Sequence, residues 1–185
     1  GGTEADNMAI IRGAQSKRRA GNRIITTKTE HPAVLEPCAY MEKQGFEVVY
    51  IDVDSKGCID IEQLESEIND RTILISVMHV NNELGSINPV AEIAKLKGNA
   101  FFHSDAVQSY GKVDINAGGT DIDMISVSGH KIHGPKGIGA IYVRRGVNVN
   151  PYIMGGGQEK NMRSGTENVP AIAGFGAAAD ISYTN

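Results

Sequence analysis

Lys131 closes the run Ser128-Gly129-His130-Lys131, which follows the apolar stretch Ile125-Ser126-Val127 and opens a glycine-rich loop ending in Gly134-Pro135-Lys136-Gly137. A lysine in such a loop is ordinarily solvated. Small residues on both sides let a large ligand approach the backbone, and a lysine that loses part of its water has a lowered pKa, which makes its amine nucleophilic toward a carbonyl. A second candidate lies in Phe101-Phe102-His103-Ser104-Asp105-Ala106-Val107-Gln108, an apolar strand that ends in an acid. Asp105 either caps the next turn or does something more specific: a carboxylate beside a heteroaromatic nitrogen favours the protonated form of that nitrogen. Gln108 is placed to face the same pocket. At the amino end, Gly1-Gly2-Thr3-Glu4 reads as directly preceding a helix. Amides freed by small residues at a helix start make an anion site, to which Thr3 adds a hydroxyl; the same residues also make a simple cap.

The elements that must position these residues alternate along the chain. Segments 23–27, 46–51, 72–78, 100–103, 124–127 and 138–143 are short, rich in Ile, Val and Phe, and bounded by Gly, Asn, Asp or Pro, which predicts strands. Between them, helices are expected over 7–20, over 32–44 with Pro32 in the first turn, over 61–68 with Asp60 as cap, over 89–97 from Pro89, and over 169–181 after Asn168. Strands separated by helices predict an α/β domain, a mostly parallel sheet covered by helices on both faces. Ligands then sit beyond the carboxyl ends of the strands. Residues 147–151 are the expected long surface connection, and Gly155-Gly156-Gly157 marks a mobile or tightly turning loop.

Composition narrows the function further. The chain has 185 residues, enough for one domain with a substantial core. Lys and Arg total 18 against 22 Asp and Glu, a net charge of −4 without charge blocks, which disfavours binding to nucleic acid. No apolar run approaches the length of a membrane span. The two cysteines, Cys38 and Cys58, have no Cys or His nearby at metal-ligand spacing, so no metal site and a reducing, cytoplasmic setting are expected.

Taken together, the motifs resemble pyridoxal-phosphate (PLP) enzymes of the aspartate-aminotransferase fold, class V, and within it the cysteine desulfurases of the NifS and IscS type. The stretches that carry the resemblance are Gly1-Gly2-Thr3-Glu4, Thr29-Glu30-His31, the run from Met78 through Asn81-Asn82-Glu83 to Gly85, Asp105-Ala106-Val107-Gln108-Ser109, Ser128 through Gly137, and Arg163-Ser164-Gly165-Thr166. They agree in order and spacing almost end to end. The resemblance implies that Lys131 holds PLP covalently and that Asp105 faces its ring nitrogen. It also implies that Gln108 contacts the phenolic oxygen, that His31 stacks on the ring and assists proton transfer, and that Asn82 lies on the phenolate side. Gly2, Thr3, Ser128 and His130 would hold the phosphate, while Thr166 would reach the phosphate in the other subunit of a homodimer. By itself, His31 also reads as a helix-entry residue before Pro32.

The implied reaction removes sulfur from L-cysteine, giving L-alanine and a persulfide on an enzyme cysteine. The sulfur then passes to an acceptor or iron-sulfur scaffold protein. Cys38, in a helix, and Cys58, in a turn, are expected to be structural. The attacking cysteine, the arginine for the substrate carboxylate and a small domain are expected beyond Asn185, and further strand material before Gly1. Residues 1–185 thus read as the PLP-binding large domain of a longer protein, with doubtful turnover alone. The rivals are another class V enzyme, such as a selenocysteine lyase or aminotransferase, and a noncatalytic scaffold on the same fold. Lys136 in Gly134-Pro135-Lys136-Gly137 favours the NifS and IscS branch.

Overall fold

Six short apolar segments pair into one sheet in the computed structural model, which describes residues 1–184. They are β1 (Arg23–Thr27), β2 (Glu47–Ile51), β3 (Thr72–Ser76), β4 (Phe101–Asp105), β5 (Met124–Ser128) and β6 (Gly139–Val143). The spatial order is β2-β1-β3-β4-β5-β6, parallel throughout except that β6 runs antiparallel to β5. Every residue of β1, β3 and β5 is buried, as strands covered on both faces require, while β6 at the edge alternates between half-buried and exposed.

Successive side chains leave a strand on opposite faces, and the apolar residues divide accordingly. Ile25, Ile75 and Phe102 join one core with Leu64 of α4 (Ile61–Glu67) and Ile93 of α5 (Val90–Leu96). Ile24 and Leu74 join a second with Ile10, Val34 and Met41, contributed by the first helical stretch and by α3 (Pro32–Lys43). Helices on both faces are therefore what the sheet needs and what it has. The last helix, α6 (Val169–Thr184), follows Asn168, whose Oδ1 accepts from the Ala171 amide at 3.3 Å.

Two expectations need correction. The first helical stretch begins at Gly2 instead of Asn7, as α1 (Gly2–Asn7), passes through a π-helical turn (Met8–Arg12) and ends in α2 (Gly13–Ser16). Gly2 and Thr3 thus lie inside its first turn, and the Ala5 amide already donates to the Gly1 carbonyl at 3.2 Å. Helix-poor glycines made that start unreadable, because tertiary packing overrides propensity there. The second correction is that β4 runs on to Asp105 and does not stop at His103. Proline starts behaved unequally: Pro32 occupies the first turn of α3, whereas Pro89 is the residue before α5.

Candidate functional site

The parallel strands all release the chain at one edge of the sheet, so the loops after β1, β3, β4 and β5 meet there. They enclose, with α1, a cavity of about 210 Å³ whose lining includes Gly2, Thr3, His31, Asn82, Asp105, Gln108, Ser128, His130 and Lys131. Nine of the sequence candidates are therefore gathered in one place. Thr166 is not among them: it lies exposed on a loop beyond β6.

Lys131 is half-buried in a 3-10 turn (Gly129–Ile132) that leaves β5 directly. The turn packs closely on its surroundings. A Cβ on Gly129 would stand 2.8 Å from Ile138 Cγ2 and 3.3 Å from Phe175 Cδ2, so only glycine lets α6 press on the back of the lysine turn. Phe175 is itself held edge-on by Tyr110, with ring centroids 6.1 Å apart. Ser128 and His130 flank the lysine and bond each other, Oγ to Nδ1, at 2.8 Å. Together with Gly2 and Thr3 they also line an adjoining open cavity of about 480 Å³. At Gly2 a Cβ would come within 2.7 Å of Val107 Cγ2, so glycine is needed for packing as well as for access to the helix start.

Of the two roles that its position suggested, Asp105 shows the first, the capping of a turn. Its Oδ1 accepts from the Val107 amide at 2.8 Å, capping the turn that carries Val107 and Gln108 into the cavity. The carboxyl is also buried, which raises its pKa, against the Val107 amide and the positive charge of Lys131, which lower it. His31 has two roles: Nδ1 accepts from the Ala33 amide at 3.0 Å and so caps α3, while the ring lines the cavity. Asn82 is exposed at the rim, on a loop fixed by its neighbour. The Asn81 amide group donates to the Thr29 carbonyl at 3.0 Å and its Oδ1 accepts from the Glu83 and Leu84 amides, each at 2.9 Å.

Three buried groups escaped the sequence reading as parts of the site. Glu30 bridges the loops after β1 and β3: the Met78 amide donates to both its carboxyl oxygens, at 2.9 and 3.0 Å, and Thr27 Oγ1 donates to one at 2.8 Å. Burial pushes its pKa up to about 8. His103, wholly buried, binds the Ser76 and Ser126 hydroxyls, each at 2.9 Å, and burial lowers its pKa to about 3, so the ring is neutral. Asp6 lines the cavity beside Asp105. A helix begun at Gly2 would have shown it, because residues four apart share a face; a helix begun at Asn7 hid it.

This set of loops has counterparts in known proteins. The sequence pattern of the family described as aminotransferase class-V matches residues 1–184. The chain belongs to the aminotransferase class-V family. Among similar members, cysteine desulfurase IscS of Dictyoglomus turgidum is 47% identical over 184 residues, 98% of this chain and 47% of its own. A NifS-like protein superimposes with a TM-score of 0.96 at 41% identity, over 99% of this chain and 51% of that one. SspA in complex with cysteine gives a TM-score of 0.91 at 43% identity, over 97% and 53% respectively. The chain thus spans about half the length of the relatives it matches.

Proposed function

We propose that residues 1–185 are the cofactor-binding domain of a PLP-dependent cysteine desulfurase acting on L-cysteine. The observation that carries this reading is the juxtaposition of a half-buried lysine and a buried carboxyl in one cavity, with glycine, two hydroxyls and a histidine continuing toward a helix start. These residues fit PLP in chemistry: an amine for its aldehyde, an acid for its ring nitrogen, and amides and hydroxyls for its phosphate.

Bound PLP supplies an electron sink at the substrate α-carbon. The chain does the rest. Lys131 would hold the cofactor through its Nζ, and the same amine, half-buried at the cavity wall, would be placed to move a proton at the substrate α-carbon. Asp105 would offer its carboxylate to the ring nitrogen, and its bond from the Val107 amide fixes the direction in which that group points. Gln108 and Asn82 would orient the phenolic-oxygen side, and His31, anchored as a helix cap, would pack against the ring. Gly2, Thr3, Ser128 and His130 hold the phosphate. Thr166, exposed and away from this chain's cavity, serves the neighbouring site of a homodimer. Neither Cys38 nor Cys58 lines the cavity, and burial pushes the Cys38 thiol up to about 12. The sulfur-accepting cysteine is accordingly a different residue of the whole protein, from which sulfur passes to an acceptor for iron-sulfur cluster assembly.

Reduction with borohydride after adding PLP tests this. An adduct on the peptide containing Lys131, lost in Lys131→Ala while the far-ultraviolet circular dichroism is unchanged, is the expected result. An adduct that survives the substitution, or no adduct in the unsubstituted protein, overturns it.

A further inference from the structure

Asp6 has 1% of its surface exposed, yet its Oδ1 has no hydrogen-bond partner among the described residues. The nearest basic group is His103 Nε2, 3.5 Å away. That nitrogen already faces Ser126 Oγ at 2.9 Å and the other ring nitrogen faces Ser76, and burial, which lowers the ring's pKa to about 3, leaves it no charge to offer Asp6. The same cavity is lined by Asp105, 5% exposed, and Glu30, also 5% exposed, is close enough to repel the charge of each. A cluster of buried acids cannot be ionised throughout, because each charge loses its hydration and repels the others.

We propose that Asp6 and Asp105, two buried acids lining one cavity, titrate as a coupled pair in which the unpartnered Asp6 holds the proton and Asp105 the charge. The surroundings decide which acid does which. Asp105 is raised by burial too, but it has the Val107 amide at 2.8 Å and the positive charge of Lys131 to oppose that burial. Asp6 is pushed well above the ordinary carboxylate range by burial first and then by Asp105, with Glu30 acting in the same sense and Ser126 opposing. On the PLP reading, the pair then presents one negative charge to one protonated ring nitrogen. Asp6 is a positioning residue in this scheme: it sets the charge on Asp105.

Carboxyl carbon-13 NMR of aspartate-labelled protein, without PLP, reads the pair directly. Strongly coupled acids titrate in two separated steps. The upper step should be absent in Asp6→Asn and should move down in Asp105→Asn by roughly one pH unit or more, the size of coupling that makes two sites titrate as a pair. An Asp6 carboxyl that titrates in the ordinary range overturns the proposal, as does an upper step that Asp105→Asn leaves in place. Should Asp6→Asn fail to fold, the Asp105→Asn titration alone decides. The borohydride test above is independent: its failure would remove the cofactor and leave this titration intact.

Discussion

Asp105 and Thr166 are both assigned to the cofactor, and they sit in opposite surroundings. Asp105 ends a central strand, buried, its carboxyl capped by the Val107 amide and its carbonyl accepting from the His79 amide at 2.9 Å. Behind it, the His103 ring spans the Ser76 and Ser126 hydroxyls. Thr166 is exposed, two residues after buried Ser164, on a loop whose principal tie is a partly exposed ion pair from Arg163 to Glu4 of α1, 2.8 Å from Nε to Oε1. The floor of the cavity is therefore set by the chain's own core, whereas the loop is held by its own short-range bonds, such as Ser164 N–H to the Ile153 carbonyl at 2.9 Å, and by one ion pair to α1, and leaves its threonine exposed. A residue that serves its own site needs a fixed backbone; one offered to a second subunit gains its order from that subunit.

If the floor is as rigid as this, disturbing it should alter the whole molecule. Glu30 gives the largest effect. A buried acid with a raised pKa keeps its proton in the folded chain after the unfolded chain has lost it. Its contribution to stability is therefore full below the ordinary value of 4.5 and is lost as pH rises through about 8. Urea unfolding should show a decline across this window, of the order of a few kcal/mol, that Glu30→Gln lacks, since raising a pKa by one pH unit is worth about 1.4 kcal/mol. Parallel pH profiles for the two proteins would show that Glu30 is not a protonated buried acid.

A smaller effect is expected at Gly2. The added methyl of Gly2→Ala meets Val107 Cγ2 at 2.7 Å, and a β-branched side chain has few rotamers into which to retreat. Overpacking of this kind costs about 1–3 kcal/mol. PLP affinity, measured by absorbance titration, should fall with it, because the same methyl stands at the phosphate end of the cavity. Unchanged affinity would separate Gly2 from the cofactor.

The smallest effect on stability belongs to the loop. Arg163→Ala removes an ion pair of which both partners are partly exposed, so a loss under about 1 kcal/mol is expected. Assembly is the sharper readout. Thr166→Ala should weaken PLP binding and PLP-linked dimerisation together in sedimentation runs across a PLP titration. A strict monomer that binds PLP normally would show that Thr166 belongs to no shared site.

Much of this was legible in the residues themselves. Short runs rich in Ile, Val and Phe, bounded by Gly, Asn, Asp or Pro, located all six strands, and Pro, Asp and Asn starts located most of the helices between them, because each central strand is short and mostly apolar. Lys131, Asp105 and their neighbours stood out because loops after parallel strands must converge at one edge. What the one-dimensional pattern could not carry is the set of contacts between segments far apart in sequence. Only folding brings Glu30 to the Met78 amide and Asp6 to Asp105, across separations no local rule spans. Only folding makes Gly2 a first-turn residue pressed on Val107, where propensity argued for a later start. The sequence by itself determined the sheet, the lysine loop and the kind of chemistry they serve. Tertiary structure decided which acids are buried together, and burial, by removing water from their charges, decides which of them can ionise.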